Sequence, residues 1–438
     1  MPATTISIPG SPRITKLTNC RLLRGGKFVA DDLWINTTSG KILDAQAGFY
    51  GSGLAADTVL DMQNRIVSPG LIDLQLNGAF GFNFSTLADD AQYAKKMAFV
   101  NRQLIETGVT AYLPTLTSQL PELYQKALPH LGPSGLLRRP TDGSESLGAH
   151  VEGPFLNTAK NGVHNRSCFL TADSIASLEE CYGASNLEAT HAALPGASGS
   201  GKAATIRMVT AAPELSRMTT DVISKLAARG IVFSIGHSAA TYDQAVAALD
   251  AGATMVTHLF NAMLPLHHRE PGVVGLLGGV GRRKMPFFGL IADGIHLHPA
   301  AVAMAYKAHP HGLVLVTDAM HLVGCADGRY EFQMGSELYR IVKQGSKLLL
   351  EGSETIAGSS ITLLECINNF MAWTRASAAE ALSAATETPA SVLGLGAVKG
   401  SLEPGADADL VVLSEAEGPG GEAKLVLDEV WKFGERVV

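Results

Sequence analysis

Residues Ile231–Met263 read IVFSIGHSAATYDQAVAALDAGATMVTHLFNAM. Two strand-like apolar runs, IVFSIG and MVT, end at a histidine each, His237 and His258. Between them, TYDQAVAALDAGA sets Ala, Val and Leu at helical spacing and closes with a glycine just past the last periodic residue, a helix stop signal. The stretch is thus a strand–helix–strand unit with a histidine at the carboxyl end of each strand. In a parallel αβ barrel, all strand carboxyl ends open on one mouth, where the chemistry sits. Two imidazoles delivered there can meet at one metal ion.

The same alternation extends in both directions. Runs suited to buried strands occur at 71–77, 109–116, 147–155, 206–214, 231–238, 255–262, 287–293 and 313–319. Eight is the number a closed (βα)8 barrel needs. Gly108, Gly230 and Gly252 each stop a helical segment just before a strand. Residues 1–67 read differently, as short alternating pieces such as KFVADDLWIN separated by turn clusters. Residues 396–438 return to that texture. The expected organisation is an α/β chain: a barrel over 68–395, inserted between 1–67 and 396–438, which together make a small β-sandwich. Two segments rich in Gly, Ser, Pro and Ala, 131–145 and 191–203, read as surface excursions without catalytic groups.

The 438 residues carry a net charge of −7, with no basic stripe, so nucleic acid is not an expected partner. Five cysteines without CxxC spacing read as reduced thiols and suggest a cytoplasmic protein. No secretory signal is evident, and the apolar runs are too short or too Gly-rich to span a bilayer.

Polar residues at the strand ends suggest the chemistry. The third strand ends with Glu152, the fifth and sixth with His237 and His258, and the eighth with Asp318. One Glu and two His make a three-ligand set for a divalent ion with an open position for water, whose pKa the ion lowers. The donor set suits zinc and also accepts iron, manganese or cobalt. Asp318 is placed to move the water's proton to a leaving group. Gln75 and Asn77 end the first strand where a two-metal site would carry an HxH pair, which argues for one ion. His164, in the loop after Glu152, is either solvated or polarises a carbonyl. Asn261 follows His258 by three residues, and His296 lies in the loop after the seventh strand. His267, His268 and Arg269 are either a solvated loop or a phosphate site, since Arg offers paired donors to phosphate oxygens. Ala357 and Gly358, in AGSS before a helical segment, suggest backbone N–H groups aimed at an anion.

Taken in order, PGLIDLQLNG (69–78), HVEGPFLN (150–157), KNGVHN (160–165), GHSAA (236–240), THLFNAM (257–263), REPGVVG (269–275), IADGIHL (291–297), LVTDAM (315–320) and AGSS (357–360) resemble the N-acetylglucosamine-6-phosphate deacetylase family of metal-dependent amidohydrolases. The resemblance implies a (βα)8 barrel with a flanking β-sandwich, usually as a homodimer, acting on a phosphorylated amino sugar. It implies metal ligation by Glu152, His237 and His258, with Asp318 as general base and acid. His164 would then polarise the acetyl carbonyl, and Asn261 and Ala262 would meet the phosphate. Arg269 would reach the phosphate held by a neighbouring subunit, and His296 would touch sugar or phosphate. Gln75 and Asn77 match the single-metal branch of the family. The chain departs from the pattern at MHLVG after Asp318, beside the site. Two rival readings are another amidohydrolase reaction, on a cyclic amide or as a deaminase, and a non-catalytic scaffold.

Overall fold

The structure, a computed structural model, describes residues 13–44, 55–86, 89–134, 138–192, 202–281, 285–334, 337–418 and 420–438. Eight parallel strands follow one another as expected: β1 Leu71–Leu76, β2 Val109–Leu116, β3 Ala149–Glu152, β4 Ile206–Ala211, β5 Val232–Ile235, β6 Met255–Val256, β7 Phe287–Ile291 and β8 Leu313–Val316. Each pairs in parallel with the next. The seam between β8 and β1 closes at the carboxyl end of β1 and just past β8. Asp318 N–H donates to Gln75 O at 2.9 Å, and Asn77 N–H donates to Ala319 O at 2.9 Å.

Side-chain parity sorts the strands into two faces. Val209, Val256, Leu290 and Leu315 pack outward in the main helix-covered core. Ile72, Leu74, Met208, Met255, Val314 and Val316 form the interior cluster. Two residues further along, the interior positions turn polar: Thr210, Ser234 and Thr257 follow Met208, Val232 and Met255 and are fully buried. The barrel is therefore apolar toward its amino end and polar toward the mouth.

The unit that decides the fold has the expected local chemistry. Helix Tyr242–Ala251 starts at Thr241, whose hydroxyl accepts from Gln244 N–H while the Gln244 side chain caps Thr241. It stops at Gly252, with φ 118°, a left-handed conformation that favours glycine.

The two ends of the chain share one sheet. Strands Ile14–Arg24, Lys27–Asn36, Lys41–Ile42 and Ile66–Pro69 join Leu410–Glu417, Ala423–Lys432 and Glu435–Arg436 in a continuous hydrogen-bonded path, and Thr58–Asp61 pairs with Ile14–Arg24 beside it. Leu410–Glu417 runs antiparallel to Ile66–Pro69. Both faces of this sheet are buried near its centre. Leu22, Val67, Leu410 and Val412 line its own core, while Leu23, Ile66, Val411 and Leu413 face the barrel.

Two expectations need correction. The segment 131–145 is not wholly a surface excursion. Its Arg138 and Glu145 enter a buried ion cluster, and Glu145–Ser146 pairs with β2. The part of the other excursion at 193–201, like 135–137 in the first, lies outside the described residues. After β8 the chain does not go straight to a helix: Gly328–Met334, Glu337–Gln344, Lys347–Leu350 and Ile356–Ser359 form a four-stranded antiparallel sheet.

The ion cluster fastens sheet to barrel. The Lys432 ammonium donates to Glu145 Oε1 at 2.7 Å, Asp409 Oδ2 at 2.8 Å and Thr110 O at 3.0 Å. The Lys399 ammonium meets Glu145, Asp407 and Asp409, and Arg138 bridges Glu145 and Asp407. Burial alone would raise the Glu145 carboxyl, but Lys399, Lys432 and Arg138 outweigh it and lower it to about 2. Stability of this sign is present above the ordinary carboxyl value of 4.5 and is lost as the pH falls toward 2. Lys432→Met leaves buried carboxylates short of a cation, and urea unfolding at neutral pH should then show a loss of about 3–5 kcal/mol. A midpoint equal to that of the parent would deny the cluster this fastening role.

Candidate metal centre and active site

The strand ends deliver the polar residues in one register. Glu152 is the last residue of β3, while His237, His258, Asp293 and Asp318 each stand two residues beyond the end of their strand. Three of these turn out of the strand with left-handed backbones: His237 at φ 48°, His258 at φ 30° and Asp318 at φ 46°. Non-glycine residues in that region are strained, and such strain concentrates at functional sites.

Glu152, His237 and His258 converge on one point. Glu152 Oε1 lies 3.2 Å from His237 Nε2 and 3.0 Å from His258 Nε2, and the two Nε2 atoms stand 3.1 Å apart. Ligand atoms around a tetrahedral ion bonded at about 2.0–2.1 Å stand about 3.3 Å apart, so this spacing fits a shared ion. The electrostatics agree. Burial opposes a charge on His258, yet Glu152 outweighs it and raises that imidazole to about 9. Burial likewise opposes the Glu152 charge, but hydrogen bonds with His237 and His258 hold its carboxyl well below the ordinary range. The pocket favours a positive charge, which a divalent ion supplies while displacing the proton. The residues present therefore fit a metal. His237 Nδ1–H donates to Lys160 O at 2.7 Å, which leaves the Nε2 lone pair facing the site.

His164 joins the same pocket. The Ser118 backbone N–H donates to His164 Nδ1 at 3.1 Å. An N–H can only donate, so Nδ1 is the acceptor and the ring proton sits on Nε2. Nε2 lies 3.8 Å from Glu152 Oε2. Burial, with His237 adding to it, lowers the His164 imidazole to about 3 and keeps it neutral. His164 is thus a neutral N–H donor directed at the metal pocket.

Gln75 Nε2 donates to Glu152 Oε1 at 3.1 Å, and Asn77 Nδ2 donates to Asp318 Oδ1 at 2.8 Å. Asp318 is half-buried; desolvation first, and then Glu152, raise its carboxyl to about 6, with His258 and His296 opposing. His296 Nδ1–H donates to Asp293 Oδ2 at 2.7 Å, and against burial this contact raises the imidazole. Asn261 Nδ2 is a buried donor with no partner among the described residues. Ala262, with φ 50°, accepts from Ser238 N–H at 3.1 Å.

The remaining expected residues stand apart from this group. Arg269 is exposed, as are His267 and His268, whose rings lie 4.3 Å apart and tilted by 40°. Ala357 and Gly358 precede a helix, as expected, but are not part of its first turn. They belong to strand Ile356–Ser359, and the helix begins at Leu363, where Thr362 and Glu365 already form a capping box. The strand still borders the mouth, because Met320 N–H donates to Ser359 O at 2.8 Å.

Sequence reading missed the supports behind the site. Ser118 and the Lys160 carbonyl set the two histidine tautomers; Ser118 belongs to no motif, and Lys160, though it opens KNGVHN, acts through its backbone. Asp73 was readable: an acid inside the apolar run LIDLQL needs a buried partner.

Comparison with known proteins adds the lineage. The Amidohydrolase family profile matches residues 66–433. The human N-acetylglucosamine-6-phosphate deacetylase is 40% identical over 413 residues, covering 92% of each chain. The Escherichia coli N-acetylgalactosamine-6-phosphate deacetylase is 30% identical, over 94% of this chain and 98% of that one. A Mycobacterium smegmatis N-acetyl-D-glucosamine-6-phosphate deacetylase mutant, solved in complex with N-acetyl-D-glucosamine-6-phosphate, superposes with TM-score 0.73 at 30% identity, over 98% of this chain and all of that one. On similarity across nearly its whole length, the chain belongs to the amidohydrolase family and, within it, to the N-acetylglucosamine-6-phosphate deacetylases.

Proposed function

We propose that the protein hydrolyses the acetamide of N-acetylglucosamine 6-phosphate, releasing acetate and glucosamine 6-phosphate. The observation that carries this reading is the convergence of Glu152, His237 and His258 beside a second carboxylate, Asp318, and one neutral N–H donor, His164. Relatives named as deacetylases favour this reading over a deaminase, a cyclic-amide hydrolase or a silent scaffold. The galacto epimer is a second reading, which the Escherichia coli relative supports at lower identity.

Glu152, His237 and His258 hold one divalent ion, zinc first, with iron, manganese or cobalt also suited to the set. Bound there, the ion supplies Lewis acidity. Asp318 removes a proton from the attacking water. A raised pKa suits this role, because a general base works best when its pKa lies near the working pH. His164 donates its Nε2–H to the acetyl oxygen as negative charge develops there. Asp318 then returns its proton to the departing amine. Asn77 aims the Asp318 carboxylate, and Gln75 aims Glu152. Asn261 gives its unpartnered amide to the phosphate, beside the Ala262 backbone. His296 and the Ala357–Gly358 backbone border the sugar phosphate. The protein works as a homodimer in which Arg269 reaches the phosphate bound by the other copy. A phosphorylated substrate and free cysteines suit the cytoplasm; among the described residues, no helix is long and apolar enough to cross a membrane. The functional division is 1–67 and 396–438 for the sheet and 68–395 for the barrel.

Acetate release from N-acetylglucosamine 6-phosphate should stop on chelation and return on adding a divalent ion. Turnover that survives full metal removal sinks the metal role. Asp318→Asn should keep its bound metal and lose about 10²–10⁴-fold in kcat; a near-normal rate removes Asp318 from proton transfer. Arg269→Ala should raise KM for the phosphorylated sugar by about 10–100-fold, the scale of a lost hydrogen bond to a charged group, and leave kcat nearly unchanged. An unchanged KM sinks the phosphate role of Arg269.

A further inference from the structure

Asp73 is a buried acid that the chemistry above does not use. It is 1% exposed, with no lysine or arginine bonded to its carboxylate among the described residues. Burial raises its carboxyl, and hydrogen bonds with Thr317 and the Gln75 backbone oppose that rise. A buried acid of this kind is costly unless its bonds serve a purpose. Its donors all come from the barrel seam. Thr317 Oγ1–H donates to Asp73 Oδ2 at 2.6 Å, while Thr317 N–H and Gln75 N–H donate to Asp73 Oδ1 at 3.3 Å and 3.1 Å.

Thr317 precedes Asp318, and its bonds continue past it. Having donated its hydroxyl proton to Asp73, Thr317 Oγ1 accepts from Ala319 N–H at 3.2 Å. Asp318 is thus gripped on both flanks, with its own N–H on Gln75 O at 2.9 Å. This grip coincides with the left-handed φ of 46° at Asp318, a conformation that needs its surroundings to hold it. Asp73 alternates with Ile72 and Leu74 of the interior cluster, and Thr317 follows Val316 of the same cluster. The pair therefore grips the seam from the side opposite the interior rather than from the pocket where substrate would lie.

We propose that Asp73, acting through Thr317, is a positioning residue that holds the Asp318 backbone in its strained turn and so sets the direction of the catalytic carboxylate. This rests on the proton-transfer role given to Asp318. Without the clasp, Asp318 N–H and the Asn77 bond remain, so the carboxylate stays in the pocket but loses its aim. A misplacement of about 1 Å can cost about 10²-fold in rate.

The test uses the metal-replete full-length protein with Asp73→Ala, Thr317→Val, Thr317→Ser and Asp318→Asn, each measured for kcat, KM, bound metal and thermal unfolding. Asp73→Ala and Thr317→Val should each lose about 10²-fold in kcat, with KM and metal content near those of the parent. Thr317→Ser keeps the hydroxyl and should stay within about fivefold of the parent, since the aim is preserved. Combined with Asp318→Asn, Asp73→Ala should cost almost nothing further, because the two act as one unit. If Asp73→Ala does not fold, the Thr317 pair carries the same comparison. Near-parent kcat in Thr317→Val, a loss that follows metal content, or a fully additive double variant overturns the proposal. An active Asp318→Asn overturns it through the role on which it rests, whereas an inactive Asp318→Asn with an active Thr317→Val overturns the clasp alone.

Discussion

The structure depends on how the barrel closes. The last strand meets the first through only a few backbone bonds, which join Gln75 and Asn77, at the end of β1, to Asp318 and Ala319, just past β8. Closure and chemistry therefore share residues. The bond that shuts the seam, Asp318 N–H to Gln75 O, also fixes where the Asp318 carboxylate begins. A closed barrel brings eight carboxyl ends to one mouth, and only closure brings the β8 carboxylate to the ligands from β3, β5 and β6.

The polarity gradient inside the barrel makes that mouth usable. Apolar side chains fill the interior at the amino end, and hydroxyls with His150 occupy the next layer. Each of those polar groups has a partner: His150 Nε2 is 2.7 Å from Thr210 Oγ1, which is 2.7 Å from Thr257 Oγ1. A satisfied polar layer carries little desolvation cost. It gives the ligand histidines a rigid base without leaving charge on the amino side of the ion.

Much of this was readable from the chain. The eight strands came from buried apolar runs punctuated by glycine stops, and Glu152, His237, His258 and Asp318 came from asking what stands at each strand's end. These signals are local, each carried by a few neighbouring residues. What escaped was non-local. Asn77 meets Asp318 across 241 residues, and Ser118 meets His164 across 46. Arg138 and Glu145 sit in a stretch whose composition suggested solvent, yet they are buried because cations and carboxylates from other segments neutralise them. The meander after β8 escaped for another reason: it interrupts the alternation of strand and helix expected across 68–395.

The ion cluster also bears on the order in which the molecule is assembled on the ribosome. Glu145 and Lys432 are 287 residues apart, and contacts of such separation form late. Every barrel strand emerges before Lys432 does. Until it arrives, Glu145 and Asp409 lack one of their cations; until the Leu410–Glu417 strand arrives, the barrel-facing Ile66 lacks the strand that pairs beside it. A nascent chain stalled short of this segment would carry a formed active-site mouth over an open apolar base, the kind of intermediate that aggregates or recruits chaperones.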